Sequence, residues 1–537
     1  MKKGYWILLL VALALLNVLM NYVVCRWDMT NDKRYSISEP TKALLESLDK
    51  RLEVEVLLDG ELNAGFTRLK KATNEMVEEL SVYAGEGLKL QPASEASFEK
   101  LTPTVIHERT HKGQTAQTTV YPYALVRYDN KIAVVHLLKN QRGLSGEENL
   151  NHSIENLEYA FVEAIRGLTQ TKVEKIAFLE GHGELDERYV YDLTHALAQY
   201  YQVDRGALGL QTGVLDEYKV VIIADPQTAF SEEDKYILDQ YLMQGGSILW
   251  VVNGVQFSDT YLSELGMTPI VALDLNINDM LFRYGVRVNH GLVQDLQCLP
   301  VPVDVSQDAS QPNWQPMPWT YAPLLLTSQA SPITRHVAQV SATMASAVDI
   351  VGGDDGLKKE VLLATSSASK LTGVPAKVDL SLGVDEEQSF VHAFIPVAVS
   401  VEGVFASLYA HQLPPENVEL HAPLQKQSKA TKMIVVAAGS AIRNEWQQGK
   451  PLPLGYDRYT QMQMGNRDFM VNAVLYLADD QGWMQLRKKS FTLRLLNDQR
   501  ARQARVQAQV VSIVIPLAIL ALVGGVVILV RRKKYVK

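Results

Sequence analysis

Two hydrophobic segments, one near each end of the sequence, set the strongest limit on how this 537-residue chain can fold. They occupy residues 5–24 and 510–530. A helix rises about 1.5 Å per residue, so a segment of about 20 residues is about 30 Å long and matches the hydrocarbon core of a bilayer. We therefore predict two transmembrane helices that hold a large, mostly polar body at one membrane.

The charges beside these segments predict how the chain is oriented. Lys2 and Lys3 precede the first segment, and a basic cluster that begins with Arg531 and Arg532 follows the second. Short basic tails are retained on the cytoplasmic side of a membrane. Both termini are therefore expected in the cytoplasm, and the body between the two spans is expected on the other side.

A cleaved signal peptide is the alternative interpretation of the first segment, because lysines before an apolar run are also typical of secretion signals. The run is longer than the roughly 7–15 residues of a signal core, and bulky Val23 and Val24 stand where small residues would precede cleavage. Cys25 also follows Val24, whereas lipid modification of a cysteine generally needs a small residue before it. We therefore expect an uncleaved helix.

The second span carries small residues that favour packing against another helix. Ala521 and Gly525 lie four residues apart and therefore on one helix face. Lipid gives helices no hydrophobic reason to associate, so close approach at small residues matters. We predict that this span docks on a partner's helices, with a generic anchor as the alternative. Residues 486–508 are predicted to form a juxtamembrane stalk.

The overall composition argues against two classes of protein. With 60 acidic and 52 basic residues, the chain is mildly acidic, which gives no support for a nucleic-acid partner. Cys25 and Cys298 are the two cysteines of the sequence, so no disulfide framework is expected. The body must therefore be stabilised by packed cores, and its length allows two or three domains.

The hydrophobic pattern of the body predicts an α/β fold. In a first domain, residues 31–168, strand and helix patterns alternate, Asp129-Asn130 forms a hairpin turn, and residues 153–168 form a helix. A second domain, residues 172–485, begins with Lys175–Glu180, an apolar run typical of a buried parallel strand. It continues with helices and strands over residues 189–201, 220–224, 231–244 and 247–252. This order predicts a doubly wound, flavodoxin-like parallel sheet.

One polar turn follows the first predicted strand of that sheet. It consists of Gly181-His182-Gly183-Glu184, and Glu180 ends the strand. Ligands of open parallel sheets bind at the carboxyl ends of strands, so Glu180, His182 and Glu184 are the candidate ligand cluster. The alternative, which we favour, is structural: the glycines allow a tight turn, and His182 and Glu184 cap it by hydrogen bonds.

The sequence holds no convincing pattern for catalysis, a cofactor or a metal. In the nearest match to a phosphate loop, residues 60–67, Phe66 occupies the lysine position. Asp186 replaces the third glycine of a dinucleotide loop. His107 and His111 have the spacing of zinc ligands on a helix, but a third ligand is lacking and their neighbours indicate strand or loop. We therefore expect no catalytic residue, no cofactor and no metal, and hence no enzyme.

An aromatic cluster lies among several prolines. It comprises Trp314, Trp319 and Tyr321. Proline fixes the backbone and aromatic rings supply flat contact area, so a loop of this kind is suited to receive a partner. The alternative interpretation is a loop packed against its own domain.

Ordered sequence blocks over most of the chain carry a family resemblance. They are residues 26–38, 57–66, 181–184, 274–285, 294–295, 402–405, 453–459, 465–469 and 486–488. With these blocks the chain resembles the auxiliary, substrate-binding-like subunits of ABC transporters associated with bacteroidete gliding motility, the GldG type. The family's middle domain is in turn similar to one in eukaryotic intraflagellar-transport proteins, where it serves assembly.

The resemblance implies a function and a location. It implies a noncatalytic auxiliary subunit whose external body binds or relays cargo, while its helices dock on an ABC permease driven by a separate ATPase. It also implies the bacterial inner membrane, a periplasmic body and, in gliding species, a link to motility. The alternative function is a membrane-tethered envelope scaffold without transport.

The chain departs from the family pattern at one turn. Where the family often has Asp-Gly-Asp after a strand, this chain has Ala438-Gly439-Ser440 after residues 433–437. A metal held by those carboxylates is therefore not an option here, which favours a structural role for the turn.

Overall fold

The computed structural model describes residues 37–60, 62–94, 97–98, 101, 103–109, 115–139, 145–169, 173–304, 306, 313–353, 356–380, 387–488 and 505–535. The chain divides into a larger unit, Tyr35–Lys489, and a second unit that comprises Met1–Arg34 and Ser490–Lys537. The predicted first span and residues 489–504 of the predicted stalk lie outside the described residues.

The first part of the larger unit is a four-stranded sheet covered by helices. Its helices are α1 (Glu39–Glu46), α2 (Ala64–Ala84), α3 (Gly146–Glu155) and α4 (Leu157–Thr169). Its strands are β1 (Leu52–Val56), β2 (Leu88–Gln91), β3 (Thr104–Arg109), β4 (Thr115–Val120), β5 (Tyr123–Tyr128) and β6 (Lys131–His136). The sheet order is β2-β1-β5-β6, and β3 and β4 form a separate ladder. Leu52, Leu69 and Phe161 share one buried core.

Two sequence predictions in this part have different outcomes. The hairpin between β5 and β6 is confirmed, and Asp129 in its turn has a φ of 56°, a left-handed conformation that Asp tolerates. The single helix predicted over residues 153–168 is wrong, because the helix is interrupted at Asn156. The preceding helix α3 already begins at a capping box formed by Ser145 and Glu148, a start signal that lies upstream of the predicted helix.

From residue 173 onward, the unit is built on one large sheet with smaller ladders around it. Its helices are α5 (Tyr191–Leu197), α6 (Glu232–Met243), α7 (Asp259–Leu265), α8 (Asn278–Arg283) and α9 (Asn466–Leu477). Its strands are β7 (Lys175–Glu180), β8 (Gln202–Ala207), β9 (Tyr218–Ala224), β10 (Ser247–Val251), β11 (Val255–Gln256), β12 (Met267–Ala272), β13 (Val286–Val288), β14 (Gly291–Asp295), β15 (Cys298–Asp304), β16 (Trp314–Thr327), β17 (Val340–Ser341), β18 (Val348–Ile350), β19 (Lys358–Ala364), β20 (Ser369–Gly373), β21 (Ala376–Asp379), β22 (Pro396–Ala406), β23 (Gln427–Val436), β24 (Trp446–Gln447), β25 (Lys450–Pro451), β26 (Tyr456–Asp457) and β27 (Met462–Gln463).

The large sheet is mixed. Five neighbouring strands run parallel in the order β8-β7-β9-β10-β23. Beyond β23 the sheet continues through the antiparallel strands β22, β19, β16 and β15. The predicted strands at β7, β9 and β10 are present, and β23 joins β10 although residues 252–426 separate them in sequence. The doubly wound, flavodoxin-like class stays a prediction for this sheet.

Apolar side chains cover both faces of the large sheet. Along β10, Leu249 belongs to one buried cluster and Trp250 to the other, as the alternation of side chains in a strand requires. The first cluster includes Leu193 of α5 and Phe469 of α9, and the second includes Tyr236 of α6. Helices therefore pack on both faces, and the carboxyl ends of the parallel strands remain at one edge between them.

The second unit contains one described helix, α10 (Arg505–Tyr535), with Pro516 inside it. Of the described residues, those from Gln509 to Lys533 form a helix that is long and apolar enough to cross a membrane, with a mean hydropathy of 3.1. The helix begins before the predicted span at 510–530 and includes the last residues of the predicted stalk. Proline is tolerated within membrane spans because neighbouring helices, ordered waters and local helix adjustments satisfy the backbone groups that it frees.

Candidate functional site

The candidate ligand cluster lies in the tight turn that follows β7. Gly181 and Gly183 have φ values of 121° and 74°, a backbone conformation that residues with a Cβ atom rarely adopt. A Cβ atom on Gly183 would also lie 3.1 Å from Cβ of Gln227. The carbonyl of His182 accepts hydrogen bonds from the backbone N–H groups of Gln227 and Thr228, at 2.8 and 2.9 Å. The turn is therefore fixed against the loop that follows β9.

The ring of His182 is held on three sides. Nδ1 lies 3.1 Å from Oε1 of Glu184, and Nε2 lies 3.2 Å from Oδ2 of Asp234. The ring stacks on Phe230 with a centroid distance of 3.8 Å. Only 7% of His182 is exposed, and the backbone N–H of His182 also donates to Oε2 of Glu184 at 2.6 Å. Both ring nitrogens are therefore occupied within the fold.

The electrostatics of the turn follow from these contacts. Burial opposes protonation of His182, but the hydrogen bonds to Asp234 and Glu184 outweigh it and raise the pKa to about 9. Burial likewise opposes ionisation of Asp234, but hydrogen bonds from His182 and Ser231 lower its pKa. An imidazolium with two carboxylate partners has no free nitrogen with which to accept a proton or ligate a metal.

Glu180 does not join the other two predicted residues. Its Oε1 accepts a hydrogen bond from Nε of Arg205 on β8 at 2.8 Å, and Arg205 also donates to the carbonyl of Leu185 at 2.9 Å. The structure thus brings His182 and Glu184 together, adds Asp234, and places Glu180 in a separate ion pair.

Replacing His182 by glutamine is expected to lower stability at neutral pH by about 1–3 kcal/mol, because an ionic, hydrogen-bonded ring is lost from a buried turn. The folded pKa is raised, so the stabilisation is fully present below about pH 6.5 and is lost as the pH rises through about 9. Thermal melting at pH 6 and pH 9.5 checks this, with a difference between wild type and variant that shrinks at the higher pH. Loss of function at unchanged stability would instead make the turn a ligand site.

Sequence reasoning missed a second polar group at the same edge, formed by Asp225 after β9 and Asn253 after β10. Nδ2 of Asn253 donates to Oδ1 of Asp225 at 2.6 Å, and Oδ1 of Asn253 accepts from the backbone N–H of Gly439 at 2.9 Å. Asp225 has a φ of 57°. The signal was present, because both residues directly follow predicted buried strands at the edge where parallel sheets bind ligands.

The Ala438-Gly439-Ser440 turn completes this edge after β23. A Cβ on Gly439 would lie 2.1 Å from Oδ1 of Asp225, so glycine alone fits there. Oγ of Ser440 accepts from the backbone N–H of Thr343 at 2.7 Å and donates to the Thr343 carbonyl at 2.9 Å. The turn joins β23 to two neighbouring segments.

Asp225 makes stability at this edge depend on pH. Burial raises the pKa of Asp225 to about 7, with Arg443 opposing and Asp259 adding to the rise. Because the folded pKa is raised, the wild-type fold loses stability as the pH increases from about 4 to about 7. Relative to wild type, the free energy of unfolding of Asp225→Asn is expected to increase by about 2–4 kcal/mol when the pH is raised from 5 to 8. Chemical denaturation at both pH values checks this; an equal change for exposed Asp186→Asn would contradict it.

The aromatic cluster lies on a strand, so the predicted loop is wrong. Trp314, Trp319 and Tyr321 belong to β16, whose residues Pro316 and Pro318 lie opposite prolines of β15 at the end of the large sheet. Prolines are tolerated at such an edge.

The two interpretations of the cluster apply to different residues. Trp319 is 6% exposed and its Nε1 donates to the carbonyl of Asp379 at 3.2 Å, so it is packed against its own domain. Tyr321 lies beside Trp319, with a ring distance of 6.0 Å. Trp314 is 62% exposed and remains a candidate partner contact.

The other predicted residues are placed as follows. Ala521 and Gly525 lie on α10, and a Cβ on Gly525 would meet no atom of the described residues within 4 Å. His107 lies on β3, whereas His111 is outside the described residues. Within the described ranges, no group of three or more His, Cys, Asp or Glu residues is arranged to hold a metal ion.

Sequence profiles of two families match the chain. The profile described as ABC-type uncharacterized transport system matches residues 174–473. A profile described as a domain of unknown function, DUF7088, matches residues 31–127. No curated protein matches the chain.

Several solved structures are similar to parts of the chain at low scores. The "mmIFT52 N-terminal domain" is 15% identical with a TM-score of 0.34, and the match covers 57% of this chain and 99% of that one. A ThuA-like protein from Parabacteroides merdae is 10% identical, with a TM-score of 0.28 and coverage of 61% and 94%. An exo-β-1,4-mannosidase from Opitutaceae bacterium strain TAV5 is 11% identical, with a TM-score of 0.23 and coverage of 62% and 39%. No argument about function follows from scores this low.

Proposed function

Because the chain belongs to the family described as ABC-type uncharacterized transport system, we propose that it is a noncatalytic auxiliary subunit of an ABC transporter. The match over residues 174–473 carries this proposal, since it supports a transport-associated role for most of the large sheet. The body binds or relays cargo, and a separate ATPase drives a permease on which the chain docks.

The polar groups at the sheet edge support the noncatalytic part of the proposal. His182 is enclosed by two carboxylates and a phenylalanine ring, and Ser440 is bonded to Thr343 in both directions. A nucleophile or general base needs a free atom directed at a substrate. These side chains use their polar atoms to hold loops together.

The apolar helix and the charges beside it support the proposed location. α10 is exposed along its apolar length, and its end carries Arg531, Arg532 and Lys533. We propose that both termini lie in the cytoplasm of a bacterial inner membrane and that the body is periplasmic. The sequence blocks of the GldG type support a role in gliding in species that glide.

Topology reporters test this arrangement. A phosphatase reporter inserted after Gly113 is expected to be active, because phosphatase folds outside the cytoplasm, and the same reporter fused after Lys537 is expected to be inactive. A green fluorescent reporter at the two positions should give the reverse. Equal phosphatase activity at both positions would contradict the two-span arrangement.

Co-purification tests the function itself. A tag after Lys537 is expected to recover a multi-span permease and an ATPase with a phosphate-binding loop from native membranes, in constant ratio to the chain. The reading frames beside its gene are expected to encode both. Recovery of envelope components without either subunit would replace the transporter proposal by the membrane-tethered scaffold.

A further inference from the structure

A cavity of about 850 Å³ lies within the larger unit, between its first part and the large-sheet part. Its walls come from β6 and α4 on one side and from α9, His336 and Arg487 on the other. Ligand sites of about 300–1,000 Å³ are common at boundaries between domains. The residues of the His182 turn do not line this cavity.

Two groups of basic side chains line the cavity. The first consists of His136 and Lys139, and the second consists of His152, His336 and Arg487. In the second group, the two imidazole rings lie 4.5 Å apart, centroid to centroid. Nη1 of Arg487 donates to Oδ1 of Asn472 at 2.6 Å and Nη2 donates to the carbonyl of Arg335 at 3.0 Å, so the guanidinium is held in place at the cavity wall.

The acidic groups nearby do not neutralise both basic groups. Glu163 accepts a hydrogen bond from the hydroxyl of Tyr200 at 2.8 Å. Oε2 of Glu155 lies 3.6 Å from Nε2 of His336. Asp468 also lines the wall, and Lys131 adds a further cation. The cations that line the cavity are therefore Lys131, Lys139 and Arg487, and Arg487 lies beside His336.

The pKa values of two histidines are lowered by burial and by neighbouring cationic groups. Burial lowers the pKa of His336, and His152, Arg335 and Arg487 lower it further, to about 3. Burial also lowers the pKa of His136, and Lys139 lowers it further whereas Glu163 opposes the shift. Burial disfavours any charge, but the smaller contribution from the neighbouring cations favours an anion beside these rings.

The second basic group also has unused hydrogen-bonding capacity. Of the buried nitrogens without a partner in the described part of the chain, three belong to this group: Nδ1 of His152, Nδ1 of His336 and Nε of Arg487. Buried polar atoms are rarely left unpaired. His336 has a φ of 59°, and such strained residues concentrate at ligand sites.

Part of the cavity lining is apolar. Ile132 and Val134 of β6 are 58% and 42% exposed and contribute aliphatic surface to the lining. The helix α4 adds the small residues Ala160, Ala164 and Gly167. The site thus has one charged end and one apolar side.

We propose that this cavity binds a small amphipathic anion, a carboxylate or phosphate joined to a short apolar part. The anionic group pairs with Arg487 beside His152 and His336, because a guanidinium can donate two parallel hydrogen bonds to two oxygens of either a carboxylate or a phosphate. The apolar part lies against Ile132 and Val134. The ligand is the cargo of the transporter, and this identification rests on the proposed function, whereas the binding itself does not.

Calorimetric titration of the full-length chain in detergent tests the site, with protein-free micelles as the blank. The probes are hexanoate, inorganic phosphate and hexylamine. Hexanoate or phosphate is expected to bind, and whichever binds identifies the anionic group as carboxylate or phosphate; hexylamine is expected not to bind. Absence of binding by both anions, or binding of hexylamine as tight as theirs, would overturn the proposal.

Two variants locate the binding. Gly167→Phe fills the cavity, and a Cβ there meets no atom of the part of the chain that the structure describes within 4 Å, so the fold is expected to accept it. It should weaken anion binding at least tenfold, whereas Gly209→Phe, which adds the same bulk at an exposed open position, should not. Arg487→Gln should also weaken binding at least tenfold. Its melting temperature should equal that of the Gly209→Phe control.

The results remain separable from the proposed function. Anion binding by a chain that recovers no permease would keep the site and remove the transport role. If the chain recovers the permease but its Gly167→Phe variant binds anions as tightly as wild type, the transport role is kept and the proposed site is overturned.

Discussion

Replacing Asp239 by alanine is expected to lower stability by about 3–5 kcal/mol and the melting temperature by about 5–10 °C. Asp239 on α6 is completely buried and accepts four hydrogen bonds. The donors are the hydroxyls of Tyr284 and Ser407, the backbone N–H of Leu408 and the amide of Gln240, at 2.6, 2.7, 2.8 and 2.8 Å. Alanine leaves these buried donors without an acceptor, which costs more than the loss of the bonds themselves.

Two comparisons isolate this effect. Asp239→Asn keeps one acceptor oxygen and is expected to cost about 1–3 kcal/mol, because its amide faces donors. Asp349→Ala removes an exposed carboxylate paired with Arg287 and is expected to cost less than about 1 kcal/mol. Thermal melting of the three purified variants measures the series. A melting temperature for Asp239→Ala within about 2 °C of Asp349→Ala would contradict the central role of Asp239.

Replacing Ala521 and Gly525 together by leucine is expected to reduce the recovered permease at least tenfold. The two residues lie four apart on α10, and among the described residues no atom lies within 4 Å of a Cβ built on Gly525. Leucine keeps the span apolar but prevents the close approach that stabilises contacts between helices in lipid. The measurement is the ratio of permease to tagged chain after purification from membranes.

A variant on the opposite helix face controls for leucine substitution within the span. Val523 and Val527 also lie four apart, on the opposite face of α10, and leucine at both positions is expected to leave the permease ratio unchanged. Both variants should insert in equal amounts. Full recovery of the permease with the Ala521 and Gly525 variant would reduce α10 to a generic anchor.

The parts of the fold that the sequence predicts are those with a strong local pattern. The strand β7 is an uninterrupted apolar run, and Ser231 is followed by acidic residues and accepts a hydrogen bond from the backbone N–H of Asp234 at the start of α6. The hairpin at Asp129 likewise depends on neighbouring residues alone. In such segments, propensity, burial and hydrogen bonding all favour the same structure.

The parts that it does not predict depend on distant residues. The strand β8 has a polar sequence because it lies at the edge of the sheet. The strand β16 contains prolines, which are tolerated because it pairs with β15 near the other edge. The pairing of β10 with β23 joins segments separated by residues 252–426. No local pattern encodes such a pairing.

The candidate site shows the same division. The glycines of the His182 turn indicate a tight turn, and its position after a strand is predictable. The contacts of His182 with Asp234 and Phe230 are not, because they join the turn to a different loop and helix. The cavity beside Arg487 is less predictable still, since its two basic groups come from segments that meet only in the folded unit.

The most direct test of docking on a permease is site-specific photo-crosslinking within α10. A benzophenone amino acid at position 525 faces the proposed partner, and the same amino acid at position 523 faces the opposite side of the helix. We expect a crosslink from position 525 to a multi-span permease in native membranes and little or none from position 523. Crosslinks to the permease from neither position, in a chain that is inserted at wild-type level, would contradict the proposed transporter subunit.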